Sequence, residues 1–194
     1  MTARILVFAG SARRGSLNKK LARLAAGAVQ DAGAQASLID LADFPMPLYE
    51  GDLEAAQGVP TKARELADLI RDHHGLLIVS PENNASVSAL TKNTIDWLSR
   101  IKDVDVLGGK VAALMAASPG ALGGVRGLYH LRAILNTLNV LVLAEQFLLP
   151  RANQAFDGEG RLVDAKQTAQ IANVVRRLVE MAVASSIDIR CDGT

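Results

Sequence analysis

The segment from Gly10 to Lys20 reads Gly-Ser-Ala-Arg-Arg-Gly-Ser-Leu-Asn-Lys-Lys, with four basic residues, two serines, one asparagine and no acid. The imbalance extends past it: the first 30 residues hold six basic groups, and Asp31 is the first acid. The apolar run Ile5 to Phe8 precedes the segment and a helical pattern follows, so it reads as a strand-to-helix loop. Such a loop exposes backbone N–H groups beside the positive end of a helix, which suits an anion. The hydroxyls of Ser11 and Ser16, the amide of Asn18 and one arginine complete a candidate phosphate cradle, with Leu17 opening the helix. A capping box needs Glu or Gln at position 19, where Lys19 stands, so that role is open to an external anion. The loop is not a nucleotide-binding P-loop. Gly10 and Gly15 have the spacing, but Ser16-Leu17 follows in place of Lys-Ser/Thr, and Gly-x-Gly-x-x-Gly is absent. Without a ligand, the same residues read as a solvated basic surface with Ser16 as an ordinary N-cap.

Two further segments follow apolar strands. Pro81-Glu82-Asn83-Asn84-Ala85-Ser86 is, by itself, consistent with a simple turn. In Ser118-Pro-Gly-Ala-Leu-Gly-Gly-Val-Arg126, the glycines at 120, 123 and 124 allow close approach of backbone to a flat ligand, and a helix starts just after. His73, His74 and His130 show no ligand spacing with acids and read as surface residues, so no metal is expected. The lone Cys191 sits three residues from the C-terminus, which excludes an internal disulfide or a cysteine zinc cluster and leaves the thiol without a fixed base. Gly-x-Ser-x-Gly is absent, removing the usual hydrolase signature.

These segments must be positioned by a regular alternation of elements. Strands are expected at Ile5 to Phe8, Ala36 to Asp40, Gly75 to Ser80, Lys110 to Ala117 and Val140 to Ala144. Helices are expected from Leu17 to Gly33, Lys62 to Asp72, Val87 to Ile101, Gly124 to Leu138 and Asp164 to Ser185. Residues 41–60, rich in Pro and Gly, read as a long loop with one helical turn. Strands apolar on both faces that alternate with helices make a parallel sheet covered on two sides. Five strands fit a three-layer αβα, doubly wound, flavodoxin-like α/β sheet of order 2-1-3-4-5. Such a sheet binds ligands where the order reverses, here at segments 9–18 and 80–86. Trp97, in mid-helix, reads as core.

The chain has 194 residues, expected to form one domain over 1–194. With 21 basic and 20 acidic groups it is no duplex-coating nucleic-acid binder, and 4% aromatic content argues against a base-stacking single-strand binder. No apolar run reaches the length of a secretion signal or a membrane span, so a cytoplasmic protein that avoids membranes is expected.

Three motifs carry a resemblance. Gly10-Ser11-Ala12-Arg13 with Ser16-Leu17-Asn18 and Leu21-Ala22 is similar to the phosphate loop of the NADPH-dependent FMN reductase family, whose members include quinone, chromate and azo-dye reductases. Pro81 to Val87 with Lys92 to Arg100, and then Ser118 to Arg126, continue the similarity over nearly the whole chain. The resemblance implies FMN, with Ser11, Arg13, Ser16, Leu17 and Asn18 around its phosphate. Pro81, Glu82, Asn83, Asn84, Ser118, Gly120, Gly123 and Gly124 would line its ring. It implies NADPH or NADH as co-substrate, hydride transfer through flavin N5 and a ping-pong cycle. The acceptor would be a small molecule: a quinone, azo compound, free flavin or metal oxyanion. No catalytic side chain is needed. It also implies a homodimer or homotetramer, with the 41–60 loop and its Tyr49 as candidate rim of a partner's site. Arg126 is left between positioning a flavin or nicotinamide and an interface ion pair. Asn83 departs from the family, which usually has tyrosine there. Two other classes remain: a non-enzymatic flavodoxin-like electron carrier and a flavin-free binding protein.

Overall fold

In the computed structural model, which describes residues 2–188, the five main strands form one parallel sheet. Its strands are β1 (Arg4–Ala9), β2 (Gln35–Asp40), β3 (Gly75–Val79), β6 (Val111–Ala117) and β7 (Leu141–Leu149), in the order β2-β1-β3-β6-β7. With the small hairpin β4 (Glu82–Asn83) and β5 (Ser86–Val87) set aside, this is the flavodoxin-like order. The helices are α1 (Leu17–Asp31), α2 (Gly51–Gln57), α3 (Thr61–Arg71), α4 (Ala89–Leu98), α5 (Val125–Thr137) and α6 (Ala165–Asp188).

The continuous apolar strands are explained by their period of two. Ile5, Val7 and Ala9 of β1, with Leu77 and Val79 of β3, face α1 and α6, where Leu21, Ala25, Val175 and Leu178 meet them. Leu6 and Phe8, with Leu76 and Ile78, face the other layer, where Leu66 and Ile70 of α3, Leu98 of α4 and Leu131 of α5 close the second core. Each fully buried aliphatic side chain contributes about 2 kcal/mol relative to exposure. Parallel register brings the C-terminal ends of β1, β3 and β6 side by side: Ala9 pairs with Val79, and Val79 with Met115.

Four expectations are corrected. The helix expected from Val87 begins at Ala89, because Val87 is taken by the hairpin. The fifth strand does not stop at Ala144 but runs to Leu149; Glu145 and Gln146 interrupt the apolar pattern, as an edge strand allows. Its register shifts between Ala112 and Leu114 of β6, and Arg132 of α5 donates to the carbonyls of Val142 and Leu143 at 3.2 and 2.6 Å. The 41–60 segment holds a short 3₁₀ turn (Leu41–Asp43) and the seven-residue α2. His73 is buried, its ring spanning the Leu69 carbonyl at 2.6 Å and Ser37 Oγ at 2.7 Å. The carbonyls left over at the end of α3 supply a partner that its spacing did not show. Cys191 lies outside the described residues.

Trp97 is fully buried, as its mid-helix position requires, and its indole N–H donates to Pro47 O at 2.8 Å. Asn93 adds a bond from Nδ2 to Pro47 O and accepts from Tyr49 N–H. The segment before α2 is therefore strapped to α4. Tyr49 packs edge-on against Trp97 with centroids 5.1 Å apart, and its hydroxyl bonds Glu54. The ring is turned inward, and Leu48, 77% exposed, is the apolar side chain the strap presents outward.

Candidate active site at the strand ends

Gly10 follows β1 directly and is fixed on three sides. Its N–H donates to Val79 O, its carbonyl accepts from Ser88 Oγ at 2.7 Å, and a Cβ here would stand 1.9 Å from Thr91 Oγ1. Ser88 also caps α4 by accepting from Thr91 N–H. Sequence reasoning missed this knot, although Ser88 followed by an apolar helical pattern is a readable N-cap.

The chain then turns through Ser11–Gly15 to Ser16, the N-cap of α1, whose Oγ accepts from Lys19 N–H at 3.3 Å. Ser16 is thus an ordinary cap, as the ligand-free reading required. Yet the N–H groups of Leu17 and Asn18 have no intrahelical acceptor, and no acid stands in the first turn. The basic residues divide. Lys19 is only 11% exposed and bonds Asp40 Oδ2 at 2.5 Å and Ala12 O at 3.2 Å. Lys20 lies 5.6 Å from the centroid of the Phe156 ring. Arg13 and Arg14 are exposed and form no ion pair among the described residues. The carboxamide of Asn18 is not free for an anion: it is 5% exposed and bonded both ways to the Ala117 peptide, at 2.9 and 2.8 Å. Its backbone N–H remains at the helix end.

After β3, Ser80 is buried and Pro81 leads into the hairpin. Asn84 and Ala85 have φ of 50° and 63°, the pair of positive values that a tight two-residue hairpin turn requires. The side chain of Glu82 does not face the open edge. Its Oε2 accepts from Arg126 N–H at 2.9 Å and Gly127 N–H at 3.1 Å, and its Oε1 accepts from Arg126 Nε and Nη2. It is thereby the cap of α5, and its own burial is 8% exposure. Burial alone raises its pKa, but the Arg126 and Gly127 hydrogen bonds and the Arg126 charge outweigh it and hold the carboxyl below its ordinary value. Arg126 is therefore in an ion pair within the chain. Gly127 permits this docking, since a Cβ there would lie 3.1 Å from Ser86 O. Asn83 is exposed at the hairpin.

After β6, Ser118 N–H donates to Leu149 O, and Ser118 Oγ accepts from Gly120 N–H at 3.1 Å. Gly123 and Gly124 have φ of 63° and 93°, and a Cβ on Gly124 would meet Ala116 Cβ at 2.7 Å. These two positions need glycine. Arg151, itself at φ 47°, donates its N–H to Gly120 O. The structure thus brings all three loops to one edge, with the side chains of Asn18 and Glu82 diverted to hold them together.

A groove of about 780 Å³ between α1 and α6 includes Leu24, Gly27, Leu162 and Ile171 in its lining and none of these loop residues. A second, of about 380 Å³, borders Ala9, Lys19 and Asp40 beside the first loop. Among the described residues no group of three His, Cys, Asp or Glu could hold a metal ion, and no helix is long and apolar enough to cross a membrane.

A parallel sheet of this order, with a basic, partly uncapped helix start at its reversal point and two further loops on the same edge, defines the flavodoxin-like class of α/β proteins with an anion-suited ligand site. Residues 3–154 match the model of the NADPH-dependent FMN reductase family, and the chain belongs to that family of oxidoreductases. A quinone reductase of Escherichia coli is 39% identical over 142 residues, covering 72% of each chain. A NAD(P)H-dependent FMN reductase of Pseudomonas aeruginosa is 36% identical over 177 residues, covering 90% of this chain and 92% of the other. In fold, the chain is similar to the NAD(P)H:acceptor flavoenzyme FerB of Paracoccus denitrificans, with TM-score 0.80, 24% identity and coverage of 95% and 99%.

Proposed function

We propose that the chain binds FMN across these three loops and reduces small acceptors, quinones foremost, at the expense of NAD(P)H. The observation that carries the reading is the start of α1: two N–H groups without acceptors, flanked by Arg13 and Arg14 without acids. A phosphate monoester satisfies both the donors and the charge. Ser11 and the Ser16 hydroxyl add donors. Asn18 contributes its backbone N–H rather than its side chain.

The segments Pro81–Asn84 and Ser118–Gly124 supply backbone at the places where a flat ring needs it. Gly120 leaves room, since an added Cβ meets only Ser118 Oγ, at 3.5 Å. Bound FMN would supply a two-electron carrier between NAD(P)H and the acceptor, NAD(P)H and a proton providing what turns a quinone into a quinol. Fixed amide dipoles stabilise the negative charge that develops when the ring is reduced, and they do so without reorganisation because the loops are pinned. The Glu82–Arg126 clamp ties the second loop to the third, and the Asn18–Ala117 ring ties the first to the third. Asn83, exposed at the hairpin, puts a small polar side chain beside the ring's expected place. The quinone reductase of Escherichia coli among the relatives supports quinones as the acceptor.

The test is a pair of titrations. Purified protein should carry a flavin band or take up FMN. Arg13→Ala with Ser16→Ala should weaken FMN strongly and riboflavin little. Equal loss of both ligands refutes the phosphate assignment, and absence of both a flavin band and FMN uptake refutes the function. Steady oxidation of NADPH with menadione separates this reading from a non-enzymatic electron carrier.

A further inference from the structure

We propose that the groove between the C-terminal ends of β1 and β2 seats the adenosine end of NADPH, with Arg23 gripping its 2′-phosphate. This rests on the reading of the chain as an NAD(P)H-dependent flavin reductase. The groove, about 380 Å³, falls within the size range of small-ligand sites. Its apolar lining includes Ile39 and Phe44, the ring of the latter lying under Lys62 Nζ at 5.9 Å from its centroid, and its polar groups are Lys19, Arg23, Asp40 and Asp43.

The charges on this groove are not equivalent. Asp40 ends β2, the place where dinucleotide folds that prefer the unphosphorylated cofactor put an acid for the ribose hydroxyl. Here that acid is engaged: Oδ1 accepts from Ala42 N–H at 3.0 Å and Oδ2 from Lys19. Lys19 is in turn held by Asp40 and Ala12 O. Arg23 is exposed, carries no ion pair among the described residues and keeps its guanidinium fork open. A planar fork matches phosphate oxygens two at a time. Its field reaches the groove. Burial raises the Asp40 pKa, but the Lys19 and Ala42 hydrogen bonds and the Lys19 and Arg23 charges bring it below the ordinary value.

Position supports the same occupant. Strands lie about 4.8 Å apart, so the path from the end of β6 to the gap between β1 and β2 is about 12 Å and crosses the first loop. A dinucleotide laid from the flavin edge to this groove therefore carries its pyrophosphate past Arg13 and Arg14.

The experiment has a binding arm and a kinetic arm. FMN-saturated protein is titrated by calorimetry with adenosine 2′,5′-bisphosphate and with 5′-AMP, and KM is measured for NADPH and NADH. The bisphosphate should bind more tightly than 5′-AMP and compete with NADPH. Arg23→Gln should weaken the bisphosphate and raise the NADPH KM about tenfold or more, leaving the NADH KM within about twofold. Phe44→Ala should weaken both nucleotides. Equal effects of Arg23→Gln on both nicotinamides, or tighter binding of 5′-AMP than of the bisphosphate, overturns the assignment, as does absence of nucleotide binding. A protein that takes up FMN and oxidises NADPH yet fails these arms loses only the groove. One that takes up no FMN loses the flavin reading, while titration of the flavin-free protein still decides the groove.

Discussion

Asn18 and Ala117, 99 residues apart, exchange two hydrogen bonds: the Asn18 carboxamide donates to the Ala117 carbonyl and accepts from its N–H. The first turn of α1 and the end of β6 are thereby one unit, and with them the first and third loops. Asn18→Ala leaves a buried peptide unpaired and should cost about 2–4 kcal/mol. Urea unfolding checks the loss, and FMN affinity should fall in parallel. Asn18→Asp cannot donate to the carbonyl and should be no better.

Gly10→Ala forces a Cβ onto Thr91 Oγ1. The single variant should be destabilised and lose FMN, because the first loop must shift. Gly10→Ala with Thr91→Ala relieves the clash and should recover part of the stability, read as a rise in Tm over the single variant.

The Glu82 carboxyl has a lowered pKa in the folded protein. Its contribution is therefore fully present above the unfolded-state value near 4.5 and is lost as pH falls through the lower folded value. Glu82→Gln should cost about 1.5–3 kcal/mol at pH 7 and flatten the acid limb of stability against pH. Arg126→Met should produce a smaller loss, because the helix N–H groups still hold the carboxylate.

Ala85 sits at φ 63° in the hairpin turn, where glycine carries no Cβ penalty. Ala85→Gly should therefore stabilise the protein by about 0.5–1 kcal/mol, read from the urea midpoint.

The layers of this fold were legible because two-sided strands and helical spacing are written in runs of residues. Ile5, Val7 and Ala9 announce one face, Leu6 and Phe8 the other. The phosphate loop was legible for a similar reason: its charges are contiguous. What escaped were relationships made by folding. Nothing local tells that the Asn18 side chain reaches Ala117, that Glu82 caps a helix 44 residues on, or that Lys19 turns away to Asp40. The hairpin was hidden as well, since Asn84-Ala85 lacks the glycine that usually marks such a turn. His73 looked like a surface residue because its acceptor is a helix-end carbonyl, which has no residue signature.

The displaced register of β7 has a consequence for life in a crowded solution. A long edge strand invites foreign strands to add to it, and clumping begins there. In β7 the shift breaks the regular repeat that an incoming strand would copy, and Arg132 already occupies two of the carbonyls at the break. The same arginine that steadies the irregularity thus keeps the sheet from growing beyond the molecule.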